Sequence, residues 1–141
     1  SEVVKPDPET ARKLELKPGE LVVVTQRLRY VNGEPIAYQV NTTRHSLCPG
    51  LATEDFTAQS FQYTIEVKYG IRIVEVEESL TSIKPDETLA TLLSIPLTMP
   101  VLLDTRRHHG PDGTIIGKAQ AYFRGDRYTF KIVRKLAATG E

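Results

Sequence analysis

The sequence predicts an α+β fold built on a mostly antiparallel sheet. Three observations carry this expectation. Turn signals at Asn32-Gly33, Gly110-Pro-Asp-Gly113 and Gly125-Asp126 separate β-rich runs by hairpin distances. Segments opening at Pro8 and Pro85 have helical start signals. The 141 residues suffice for one domain with its own core, without disulfide or metal staples.

The elements follow in order. Asp7 is placed to cap a short helix over Pro8–Leu16, with proline at its first position, and Lys17-Pro18-Gly19-Glu20 ends it. Leu21–Val31 is β-rich, Asn32-Gly33 turns the chain, and Ile36–Thr43 returns. Arg44–Asp55 is loop-like. Phe61, Ile65 and Tyr69 recur every four residues, which predicts a helix over Ala58–Tyr69 closed by Gly70. A strand is expected over Ile71–Ile83. Pro85–Ser94 reads as a helix whose Asp86 and Glu87 suit the positive end of the helix dipole and whose Leu89, Leu92 and Leu93 form an apolar stripe. Strands are expected over Pro100–His109, Thr114–Phe123 and Arg127–Leu136. The order is then helix, β-hairpin, helix, strand, helix, and a three-stranded meander, with the helices on one side of the sheet.

Composition narrows function mainly by exclusion. Lys+Arg and Asp+Glu both number 18, so the formal net charge is zero. A nucleic-acid-binding domain carries a basic excess, because phosphate contacts dominate its affinity; this chain carries none. Cys48 is the only cysteine, which excludes a disulfide framework and a cysteine zinc cluster and fits a reducing cytoplasm. The longest apolar runs, such as LVVV at 21–24, have strand length rather than membrane-spanning length. His108 and His109 are adjacent, so on a strand they face opposite ways and make a poor metal pair. No Ser-His-Asp set, glycine-rich phosphate loop or paired-carboxylate motif stands out, and no cofactor is expected.

Arg27 and Arg29, two apart before the first turn, share one face of their strand. Read from the residues alone, they are either solvated surface arginines or an anion-binding fork. A two-residue Asn32-Gly33 turn would set Arg27 opposite Tyr38 and Arg29 opposite Ile36. A longer loop or a bulge would set Arg27 opposite Gln39 and Arg29 opposite Ala37. Pro35 cannot donate to a ladder and makes an irregular turn natural.

Further residues carry a family resemblance. The pattern A11-x-x-L14-x-L16-x-x-G19-E20, then R27-L-R-Y-V-N-G-E-P-I36, P49-G-L51, Y69-G70, the helix DETLATLLSI and R124-G-D-R-Y-T-F130 resembles the UTRA domain. That is the effector-binding half of HutC-type GntR transcription regulators, with a chorismate lyase-like fold. The resemblance runs from Ser1 to about Lys135. It implies that residues 1–141 are an effector-binding and dimerisation domain, lacking its first segment and the winged helix-turn-helix that would contact DNA. It also implies a cytoplasmic homodimer without catalysis, DNA contacts only through the missing domain, and a small anionic metabolite as effector.

By the same resemblance, Arg27 and Arg29 hold the ligand's anionic group, a task suited to a planar, permanently charged fork. Gln39 stands where relatives place a ligand-contacting group, often Glu, and therefore has to share the face of Arg27. Ser60 matches a phosphate-holding serine and reads equally as a helix cap. Gln62 lies where sugar-phosphate sensors often carry Tyr, and Gly117 and Phe123 where they can carry Glu and Tyr. With Gln39 and Gly117 in place of acids and Ala119 and Ala121 beside them, the pocket is expected to be roomy and net positive, for an anion with a neutral or apolar remainder. The alternatives are a chorismate lyase-like enzyme acting on a carboxylated small molecule, and a dimerisation module without a ligand.

Overall fold

In a computed structural model that describes residues 1–54 and 61–136, one six-stranded antiparallel sheet organises the chain. Its strands are β1 (Glu2–Val4), β2 (Val22–Val31), β3 (Glu34–Arg44), β4 (Glu75–Ile83), β5 (Val101–His109) and β6 (Ile115–Arg124). Their spatial order is β1-β2-β3-β6-β5-β4. The hairpin β2–β3 thus pairs through β3 with β6, placing β6 near the middle of the sheet. Asn32 and Gly33 have φ of 50° and 80°, as a two-residue turn matched to strand twist requires.

Helix α1 (Pro8–Lys13) is capped by Asp7, whose Oδ1 accepts from the Thr10 N–H at 2.7 Å. It stops short of Leu16 because Glu15 turns left-handed, with φ of 53°. Helix α3 (Glu87–Leu93) is capped by Asp86, which accepts from the Leu89 N–H at 2.8 Å. Its buried side chains are Leu89, Ala90 and Leu93, with Leu92 only half-buried. Of the helix expected over Ala58–Tyr69, residues 58–60 lie outside the described residues. The rest is α2 (Phe61–Tyr63) continued by a wider π turn over Thr64–Lys68, ended at Gly70 with φ of 64°.

Three expectations are corrected. Residues 127–136 form no strand among the described residues. Their apolar side chains are exposed, Val133 at 75% and Leu136 at 88%, so no burial repays a ladder there. Strand β4 begins at Glu75 rather than Ile71. Helices also cover both faces rather than one. Val22 packs with Leu14 beside α1, whereas Val23 packs with Ile65 after α2. Neighbouring residues of a strand point to opposite faces, so the unbroken apolar run at 21–24 marks a strand buried on both sides.

Arg44 ties these layers together. Its Nε donates to the Ile115 carbonyl at 2.7 Å, and its guanidinium also meets the Leu14 carbonyl and Glu20. The closing RGD turn is held by Arg124, which grips Asp126 through two hydrogen bonds of 3.1 and 2.9 Å. A Cβ on Gly125 would stand 2.4 Å from the Pro100 carbonyl oxygen, a distance that only glycine permits.

Candidate functional site

The register of the first hairpin decides where the candidate residues point. Val31 pairs with Glu34 and Tyr30 with Pro35, but Arg29 then pairs with Ala37 and Arg27 with Gln39. Ile36 is therefore an extra residue on β3, a bulge next to the proline that cannot donate. The turn has two residues and the ladder still takes the second register. Arg27, Arg29 and Gln39 consequently share one face.

The same face continues across the sheet. Gln39 pairs with Ala121, which pairs with Asp104; Ala37 pairs with Phe123. Asn41 leads through Ala119 to Arg106, and Thr43 through Gly117 to His108. Strand β6 thus floors a trough with small side chains, walled by Gln39, Asn41 and Thr43 on β3 and by Asp104, Arg106 and His108 on β5.

Arg27 is half-buried and Arg29 exposed. Neither guanidinium, nor the Gln39 amide, has a hydrogen-bond or ion-pair partner among the described residues. This separates them from Arg44, Arg106, Arg107 and Arg124, each of which is paired with a carboxylate. Phe123 is half-buried and stacks on Tyr128, with ring centroids 4.0 Å apart and planes inclined by 15°. Gln62 is exposed and donates to Glu66 at 3.3 Å. Ser60 lies outside the described residues. Gly117 has a backbone reason of its own: a Cβ there would stand 2.5 Å from the Thr42 carbonyl oxygen.

The acidic corner of the trough escaped sequence reading. Asp104 is 3% exposed and its Oδ1 has no donor, while Oδ2 accepts from Arg106 at 3.3 Å. Burial and the adjoining Glu78 push its carboxyl up to about 6, while the neighbouring Asp104 carboxyl and the Arg106 guanidinium hold Glu78 below the usual range. The available signal was alternation, since Asp104, Arg106 and His108 had to share a face; the side on which that face would be covered was not legible. His108 is 8% exposed, and burial followed by the neighbouring Arg106 and His109 lowers its pKa. His109 turns instead to Glu77, 2.6 Å from its Nε2. Glu75, Glu77 and His109 do converge within 4.8 Å, but Arg107 already donates to both oxygens of Glu77 at 2.8 and 2.9 Å. A depression of about 560 Å³ beside α3, lined by Glu87, Ser94 and Leu97 among others, lacks any convergent set of charged groups. Among the described residues, no helix is long and apolar enough to cross a membrane.

Comparison with known proteins places this geometry. The family model described as the UTRA domain matches residues 1–129. Among solved structures, a possible transcriptional regulator, YydK, from Bacillus subtilis superposes with a TM-score of 0.85 at 22% identity, over 94% of this chain and 59% of that one. A GntR-family transcriptional regulator from Enterococcus faecalis gives 0.85 at 22% identity, over 94% and 95%. The effector domain of PhnF from Mycobacterium smegmatis gives 0.84 at 24% identity, over 96% and 83%.

Proposed function

Because the chain belongs to the UTRA-domain family, we propose that it is the effector-sensing and dimerisation domain of a GntR/HutC-type transcription regulator. Its effector is a small phosphate- or carboxylate-bearing metabolite held by Arg27 and Arg29. The observation that carries this reading is the bulge at Ile36, which brings Gln39 to the face shared by both arginines, whose guanidiniums have no partner among the described residues. A charged group kept unpaired at the rim of a covered face is available for a ligand, and guanidinium matches the planar geometry of an oxyanion.

Gln39, Phe123, Gln62 and Ser60 complete the proposed contact set, Gln39 from the same rung as Arg27 and Phe123 from the rung of Arg29. Catalysis is no part of this reading. The chain spans 59% of the Bacillus subtilis regulator's length, and DNA contact is assigned to a separate winged helix-turn-helix of the whole protein. Ligand binding alters operator affinity only to the extent that it favours one arrangement of the dimer over another.

The test is a thermal-shift and calorimetry panel of sugar phosphates, phosphonates, urocanate, small dicarboxylates and chorismate, run on the wild type and on Arg27→Ala. Charge-assisted hydrogen bonds contribute about 1.5–3 kcal/mol, so the variant should bind its ligand about tenfold to a hundredfold more weakly. Ligand at 100 times its Kd should stabilise the wild type by about 2.7 kcal/mol. Binding that survives Arg27→Ala would place the site elsewhere, and turnover of chorismate would refute the sensor reading.

A further inference from the structure

Asn41 and His108 are each 8% exposed, and neither has a hydrogen-bond or ion-pair partner among the described residues. Buried polar groups are normally paired, so two neighbouring exceptions among the described residues mark groups open to a ligand. Both remain reachable, since Asp104 Oδ1 is the one fully occluded, unpaired side-chain atom among the described residues. They also stand in one place. Asn41 lies two residues beyond Gln39 on the same face, and His108 lies diagonally across β6 from it. Strand spacing and rise put their Cα atoms about 12 Å apart. Between them β6 presents only Ala119 and Gly117.

The chemistry of the pair selects its ligand. A carboxamide and a neutral imidazole each offer both a donor and an acceptor. Burial holds His108 toward its neutral form, as do Arg106 and His109. Groups that both give and take suit hydroxyls, which do the same, better than ammonium or a second anion. The nearby charges are already engaged: Arg106 donates to Glu78 at 2.8 Å and to Asp104 at 3.3 Å.

We propose that Asn41 and His108 form a second, neutral subsite of the effector trough, which binds hydroxyl groups on the part of the ligand remote from its anionic end. The effector is then a polyhydroxylated anion that lies along β6, with its charge at Arg27 and its hydroxyls over Ala119. This rests on the assignment of Arg27 as the anion site.

The probes are sorbitol 6-phosphate and n-hexyl phosphate, equal in chain length and different in hydroxyls, titrated by calorimetry. The proteins are wild type, Arg27→Ala, Asn41→Ala and His108→Phe, with folding checked by melting temperature. The expected result is at least tenfold tighter binding of sorbitol 6-phosphate by the wild type. Asn41→Ala should abolish that preference and leave hexyl phosphate affinity unchanged, and His108→Phe should repeat the result if it folds. Equal affinities in the wild type, or a preference that survives Asn41→Ala, would overturn the subsite while the Arg27 assignment stands. Loss of both ligands in Arg27→Ala supports that assignment separately. Failure of the wild type to bind either phosphate overturns both.

Discussion

Replacing Arg44 with alanine should cost far more stability than the same change at Arg27. Arg44 donates to the Ile115 carbonyl at 2.7 Å, to the Glu15 carbonyl at 3.2 Å, to the Leu14 carbonyl, and to both Glu20 oxygens at 2.8 and 2.6 Å. The side chains of Arg44 and Glu20 are 10% and 21% exposed, so truncation strands a largely buried carboxylate. Breaking such a pair from one side costs about 3–5 kcal/mol, a fall in Tm on the order of 10–20 °C for a domain of this size. Glu20→Gln keeps an acceptor and should cost about 1 kcal/mol. Burial alone would raise the Glu20 pKa, but the Lys17 N–H and the Arg44 guanidinium outweigh it and hold the group below 4.5. A depressed carboxyl stabilises the fold above its unfolded pKa and loses that contribution as pH falls through the folded value. The gap between wild type and Glu20→Gln should therefore be full at pH 7 and close in acid. Urea denaturation followed by circular dichroism reads both quantities. A cost below about 1 kcal/mol for Arg44→Ala, smaller than a single charged hydrogen bond, would refute the assignment of Arg44 as the structural hub.

Asp104→Asn should act in the opposite sense. A carboxyl raised from 3.8 to about 6 makes the folded state bind the extra proton, so stability falls as pH rises through that window. The variant should gain about 3 kcal/mol at pH 8 and nothing below pH 3.8, as urea midpoints at the two pH values would report. Gly117→Ala should part β3 from β6 and lower Tm markedly, because the new methyl would stand 2.5 Å from backbone rather than from a side chain that can move. Asp86→Ala removes the acceptor of the Leu89 N–H and should cost about 1 kcal/mol in the same assay.

Local chemistry was legible wherever it did not depend on a distant partner. Asp7 capped its helix because carboxylate and amide are three residues apart, and Asn32-Gly33 turned because both residues accept positive φ. The strand expected over Arg127–Leu136 failed on the same logic. Alternation states that a strand is possible, while burial of one of its faces depends on what packs there. Cys48 illustrates the middle case. Its sequence neighbours do not say whether it faces the core, and it is 0% exposed in the cluster of Val23, Leu51 and Ile65.

The sequence by itself determined that Arg27 and Arg29 share a face, and by resemblance to the UTRA domain it identified the residues expected around a ligand. Both follow from short-range rules, strand alternation and motif order. Two matters were decided only by tertiary structure. The first is which side of β3 Gln39 takes, because one extra residue at Ile36 reverses every later side chain and its insertion depends on how the strand fits its neighbour. The second is the other wall of the trough. Asp104, Arg106 and His108 lie more than sixty residues along the chain from Gln39, and they face it only because β6 pairs with both β3 and β5. Such long-range pairing is settled by the packing of the whole sheet, which no local pattern encodes.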